Sequence, residues 1–228
     1  MIAPTIYVVD DDVSFRTATG TLLAACGYEV ALFESARQLL DLLSGDEAGC
    51  ILLDVQMADL TGPQFQDQLA ARGCKLPIVF VTGHADVPTA VKTIKGGADD
   101  FLTKPIERVR LLAAIESALN RLARMREQDT RMTGLRSSFA ELTAREADVF
   151  SMLVRGKPHK QIAYALGVSE RTIKVHRRNV LQKFEVQSLA ELAVIAERLG
   201  LLQASGHEPG DVRQSHAASL PGSPVTGR

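Results

Sequence analysis

The chain has 228 residues, 46% of them hydrophobic and 23% charged, enough for one large or two small domains with buried cores. No run of about 18 apolar residues occurs, and no basic stretch followed by an apolar one opens the chain, so neither a membrane span nor a signal peptide is expected. The net charge of −1 conceals a split: residues 1–120 hold 9 Lys+Arg against 16 Asp+Glu, whereas residues 121–204 hold 15 against 9. An acidic half followed by a basic half points to a nucleic-acid partner for the second. The three cysteines, Cys26, Cys50 and Cys74, lack metal-ligand spacing and are expected as free thiols in a reducing cytoplasm.

The first 120 residues alternate strand and helix patterns. IYVVD (6–10) is an apolar, β-branched run, followed by a helical spacing of Phe15, Leu22, Leu23 and Cys26 that stops at Gly27. YEVALF (28–33) is a second strand, after which Ser35 and Gln38 predict a capping box ahead of Leu39, Leu40 and Leu43. CILLD (50–54) is the third strand, and Pro63 sits in the first turn of a helix that ends before Gly73. PIVFVT (77–82) is the fourth, with Pro88 opening a helix to Gly96. DFLTK (100–104) is the fifth, followed by a helix from about Glu107. Short uncharged strands read as buried on both faces, so the pattern predicts a (βα)5 doubly wound parallel sheet.

The apolar stripe Leu111, Leu112, Ile115, Leu119, Leu122, Met125 continues past residue 122 into a polar stretch. Residues 123–140 are expected as a linker, either fraying or helical, with Thr133 and Gly134 interrupting any helix. From Leu142 the pattern is all helical. Thr143 with Glu146 and Ser188 with Glu191 form capping boxes, Ser169 caps a third helix, and Gly156, Gly167 and Gly200 act as stops. Helix, glycine turn, helix is a helix-turn-helix signature. The predicted domains are therefore 1–122, a helical linker 123–140, an all-α four-helix domain 141–202, and a disordered Gly/Pro/Ser-rich tail 203–228.

Asp10, Asp11, Asp54, Thr82 and Lys104 each follow an apolar run, and in an open α/β sheet the carboxyl ends of the strands form the ligand site. Three carboxylates require a cation, and a cation beside a carboxylate and a lysine suits a phosphoryl group. Asp54 as phosphoacceptor, Mg²⁺ on Asp10, Asp11 and Asp54, and Thr82 and Lys104 donating to the phosphate make a coherent set. No His or Glu is evidently paired with Asp54 as a base, so the phosphate is expected to be held and lost slowly.

In the basic half, Ile173, His176, Val180 and Phe184 form a buried stripe, with His176 read as a satisfied structural histidine. Arg171, Lys174, Val175, Arg177, Arg178 and Lys183 lie mostly on the other faces of that helix and suit a DNA major groove. In the last helix, Leu192, Ile195 and Leu199 fit either a dimer contact or packing on the domain's own core.

VVDDD, LLDVQMADLTG, VFVTGHAD and GADDFLTKP resemble, in order, the receiver domain of two-component response regulators. LTAREADVFSMLVRGKPHKQIAYALGVSERTIKVHRRNVLQKFEV resembles the LuxR-type DNA-binding domain, and the pair of resemblances is that of the NarL/FixJ class. The first implies strand order 2-1-3-4-5, Asp54 as phosphoacceptor, and Asp10, Asp11 and the Gln56 carbonyl as Mg²⁺ ligands. It also implies Thr82 and Lys104 as the switch pair, Phe101 at the aromatic switch position (or as a plain core residue) and a cis peptide at Pro105. The second implies base reading by Lys174, Val175 and Arg178, with neighbouring cations on phosphates and the last helix pairing on DNA.

A sensor histidine kinase, double-stranded DNA, RNA polymerase and a second copy of the chain, formed on phosphorylation, follow as partners in the cytoplasm, with no membrane. Enzymatic activity beyond slow gain and loss of the phosphate is not expected. The chain departs from the family at Ala58, where Pro is usual, which predicts a looser loop around Gln56. Gln56 and His84 read as solvated loop residues or as residues tuning hydrolysis. Two alternatives stand: a receiver used without phosphate as a protein-interaction module, and an aspartyl-phosphate hydrolase, whose DxDxT pattern the first strand does not supply.

Overall fold

The computed structural model describes residues 4–202 apart from 46, 59 and 84–86. His84 and the tail from residue 203 lie outside the described residues. The chain divides into two compact units, residues 1–131 and 132–228.

The first unit is a five-stranded, all-parallel sheet of β1 (Thr5–Val9), β2 (Glu29–Phe33), β3 (Gly49–Asp54), β4 (Ile78–Thr82) and β5 (Asp100–Thr103). Its order is β2-β1-β3-β4-β5, and α1 (Val13–Ala25), α2 (Ala36–Leu42), α3 (Gly62–Ala71), α4 (Val87–Lys95) and residues 108–131 of α5 (Arg108–Ala140) connect and follow the strands. Strand alternation sends Tyr7, Val9, Ile51, Leu53 and Phe80 to one face, where they bury Leu39, Leu40, Phe65 and Leu69 of α2 and α3. Ile6, Val8, Leu52, Val79, Val81 and Leu102 go to the other, against Leu23 of α1 and Leu111, Ala114, Ile115 and Ala118 of α5. Each fully buried Leu, Ile or Phe contributes roughly 2–3 kcal/mol, and with both faces covered the sheet offers polar side chains at its strand ends. The three cysteines are unpaired, and burial pushes the Cys50 thiol pKa up.

The expected break at Thr133 and Gly134 is corrected, because α5 runs unbroken through both. A mid-helix Gly costs about 1 kcal/mol relative to Ala, and the half-buried Leu135 and Phe139, packed on the core of the second unit, favour the helix beyond it. The capping box at Ser35 is half formed: Ser35 accepts from the Gln38 N–H at 3.3 Å, but the Gln38 amide turns to Glu34 at 2.9 Å.

The second unit contains α6 (Ala144–Val154), α7 (His159–Leu166), α8 (Glu170–Lys183) and α9 (Leu189–Arg198). Gly167 ends α7 in the left-handed region at φ 66°, and Ser169 caps α8 by accepting from the Thr172 N–H at 3.1 Å. The core packs Phe150 against Phe139 edge-on and against Phe184 stacked, with Val180, Leu192 and Ala196 around them. Ile162 and Ile173 bury the contact of α7 and α8.

Candidate functional site

Asp10, Asp54, Thr82 and Lys104 stand at the ends of β1, β3, β4 and β5, and register brings them together: Val9 pairs with Leu53, Asp54 with Val81, Thr82 with Thr103. Carboxylate oxygens of Asp10, Asp11 and Asp54 lie within 4.8 Å of one another. Asp10 and Asp54 are buried, and Asp11 is exposed at the rim. Such an all-oxygen, three-carboxylate group suits a hard divalent cation. Asp10 accepts from the Asp12 N–H at 3.0 Å, and its carbonyl takes the Arg16 guanidinium at 2.5 Å. Burial pushes the Asp10 pKa up, against the lowering pull of Lys104 and the Asp12 N–H.

Lys104 donates to Asp10 Oδ2 at 2.6 Å and to Asp54 Oδ2 at 3.2 Å, while its own N–H binds the Thr82 carbonyl at 2.7 Å. Burial alone lowers the pKa of this ammonium, but the two carboxylates outweigh it and raise the value, so the group stays charged. The Lys104–Pro105 peptide is cis, as the resemblance implies. Thr82 is buried at the end of its strand. Phe101 is half-buried against the β-sheet face that carries Phe80.

In the loop after Asp54, the Gln56 N–H reaches Asp54 Oδ1 at 3.3 Å, Met57 and Leu60 are buried, and the Gly62 N–H binds the Val55 carbonyl at 3.0 Å. A Cβ at Gly62 would stand 2.5 Å from the Phe80 ring, so only glycine lets the loop close this tightly. The Gln56 side chain is exposed.

In α8, Arg171, Lys174 and Arg178 are exposed, and Val175 presents an apolar side chain 54% exposed between them. Lys174, Arg177, Arg178 and Gln182 line a shallow groove. Arg177 is half-buried, with its Nε enclosed and without a hydrogen-bond partner among the described residues. His176 is half-buried too, and its Nδ1, itself enclosed, has no hydrogen-bond partner among the described residues, which corrects the expectation of a satisfied histidine.

One further expectation is corrected. Lys183 is engaged inside the unit, donating to Glu146 Oε2 at 2.7 Å and to the Glu141 carbonyl at 2.8 Å, so it is a brace and not a free cation for DNA. Of the two uses expected for the last helix, Leu192 and Ile195, 0% and 8% exposed, serve packing on the unit's own core, with Leu199 half-buried beside them. The outward apolar residue of α9 is Val194.

Sequence reasoning missed two contributors. Phe15 lies against Lys104, and Arg16 holds the carbonyl of Asp10. The short separation of Arg16 from Asp10 could have revealed that contact; Phe15 and Lys104 are far apart in the chain.

Residues 6–116 match the response regulator receiver domain, and residues 140–196 match the LuxR family of bacterial regulatory proteins. The response regulator protein TodT of Pseudomonas putida is 40% identical over 197 residues, covering 86% of this chain and 87% of that protein. The transcriptional regulatory protein FixJ of Bradyrhizobium diazoefficiens is also 40% identical over 197 residues, covering 86% and 96%. The solved structure of the response regulator StyR is similar, with a TM-score of 0.78 and 42% identity over 86% of this chain and all of that one. The chain belongs to the NarL/FixJ class of two-component response regulators, which join a receiver to a LuxR-type helix-turn-helix domain. It is thus a DNA-binding regulator of transcription in a two-component system. Among the described residues no helix is long and apolar enough to cross a membrane.

Proposed function

We propose that a sensor histidine kinase phosphorylates Asp54 and that this switches the chain between two states of DNA affinity. The observation that carries the reading is the placement of the Lys104 ammonium on the Asp54 carboxylate, beside Asp10 and Asp11, at the carboxyl ends of the strands. An Asp54 carboxylate oxygen attacks the phosphorus of the kinase's phosphohistidine, the phosphorus–nitrogen bond breaks and the imidazole leaves, while Lys104, 3.2 Å from Asp54 Oδ2, offsets negative charge at the acceptor. Asp10, Asp11 and Asp54, with the Gln56 carbonyl, would hold Mg²⁺, which supplies neutralisation of the charge that builds on the phosphoryl oxygens. Thr82, at the neighbouring strand end, donates its hydroxyl to the phosphate once formed.

Movement of Thr82 and Lys104 toward the phosphate re-poses the surface formed by residues 88–105, where Val91 and Ile94 of α4 expose apolar side chains. That surface then pairs with a second copy. Two α8 helices meet two half-sites, Lys174, Val175 and Arg178 reading base edges and Arg171 and Arg177 contacting phosphates. Pairing raises DNA affinity through effective concentration, and the bound dimer recruits RNA polymerase to activate transcription.

The test is sedimentation of the full chain in Mg²⁺ with and without beryllofluoride, which stands in for the phosphoryl group. A monomer that becomes a dimer only with the mimic is the expected result. A chain that binds the mimic yet stays monomeric overturns the dimerisation step, and one that binds none overturns Asp54 as acceptor.

A further inference from the structure

Lys104 touches more than carboxylates. Its ammonium lies 4.1 Å from the centroid of the Phe15 ring, well inside cation–π range. Phe15 belongs to the first turn of α1, where Asp12 caps the helix and accepts from the Phe15 N–H at 3.3 Å, fixing the backbone from which the ring projects. The ring is half-buried against the cluster that holds Leu23 and Leu111, so its position is set by packing. The lysine head is thus enclosed by Asp10 at 2.6 Å, Asp54 at 3.2 Å and an aromatic face.

This arrangement puts the ammonium on two of the three carboxylates that make up the cation cluster. A divalent cation that binds Asp10 and Asp54 shares those two carboxylates with Lys104, and two positive charges drawing on the same carboxylates weaken each other's hold. Lysine has a flexible four-carbon stem, and free of restraint its head would swing readily between oxygens and water. The quadrupole of the ring opposes that movement.

We propose that Phe15 is a positioning residue for Lys104, holding the ammonium against Asp10 and thereby setting how strongly the acidic cluster takes a divalent cation. The inference rests on the reading of Asp10, Asp11 and Asp54 as the cation site. It assigns Phe15 a role that its place in an apolar cluster does not require, since any side chain of similar bulk fills that volume.

The discriminating variant is Phe15→Leu, which keeps apolar packing and removes the quadrupole, with Phe15→Tyr as the variant that retains it. Full-length protein carrying ¹³Cε-labelled lysine is observed by NMR without metal, then titrated with Mg²⁺. In the wild type and in Phe15→Tyr the Lys104 methylene protons are expected to be displaced upfield by the ring. In Phe15→Leu that displacement vanishes and Mg²⁺ binds about two- to five-fold more tightly, the range expected for loss of one exposed-to-half-buried cation–π contact. A Phe15→Leu chain that loses the displacement yet binds Mg²⁺ like wild type overturns the role of Phe15 alone. A wild-type chain that takes no Mg²⁺ overturns the cation-site reading and this role with it, even where the metal-free Lys104 signal is displaced.

Discussion

Each unit of the molecule contains a half-buried lysine set against a buried carboxylate, and the two are built for opposite purposes. In the DNA-binding unit, Lys183 meets one carboxylate, Glu146, which is 5% exposed and also accepts from the backbone N–H and hydroxyl of Thr143. In the receiver, Lys104 is shared between Asp10 and Asp54, beside a third carboxylate, Asp11. The first pair is balanced, one positive charge on one negative, and every partner is a fixed part of a helix end. The second carries surplus negative charge, which leaves the site short of a cation and lets the lysine exchange partners. Equal chemistry thus gives a brace in one place and a movable contact in the other, and the count of carboxylates decides which.

The comparison is broken most severely at Asp54. Asp54→Asn is expected to abolish acid-labile phosphate incorporation altogether while the thermal unfolding midpoint stays near wild type; a stable phosphate on that variant would place the acceptor elsewhere. Next in size is the brace. Lys183→Met keeps the aliphatic stem but leaves the buried Glu146 carboxylate without its ammonium, and is expected to cost the second unit about 3 kcal/mol. Amide hydrogen exchange should register the loss across α6 and α8 and leave the sheet untouched.

The same brace has a pH signature. The Lys183 contact, then the Thr143 N–H, hold the Glu146 carboxyl at about 2, below the ordinary value of 4.5. A depressed acid stabilises the fold wherever it is ionised in both states, so its contribution, on the order of 2 kcal/mol, is complete above pH 4.5. It fades as pH falls from there toward about 2. Urea midpoints of the second unit, followed through its amides between pH 6 and pH 3, should drop in the wild type and stay flatter in Lys183→Met. Smallest of the four is Arg178→Ala, expected to weaken specific DNA binding about ten-fold with Asp54 phosphorylation unchanged. Unaltered operator affinity removes Arg178 from the reading face.

What could be read from the amino-acid order divides along physical lines. The acidic site was legible because buried parallel strands are short uninterrupted apolar runs, and the residue ending each run has no place to go but the sheet edge. The caps at Thr143, Ser169 and Ser188 were legible because a cap is a contact across three residues. Lys183 was misread because its partner is 37 positions away, and a helical wheel shows which way a cation faces but not what meets it. Leu192 and Ile195 posed the same difficulty: an apolar stripe needs a partner surface, and the order of residues does not say whose. Phe15 was placed on its helix correctly, yet its contact with a lysine from the far end of the sheet depends on the tertiary fold.

The unbroken course of α5 bears on how the protein can be dissected. Leu135 and Phe139 belong to the core of the second unit, where the Phe139 ring meets Phe150 at 5.5 Å. A fragment beginning at Glu141, the boundary that motif matching suggests, would strip an aromatic wall from that core and expose Phe150 to water. One beginning at Met132 keeps the wall. Loss of DNA binding in the shorter fragment would then report a damaged core, and would carry no information about whether the receiver is needed for recognition.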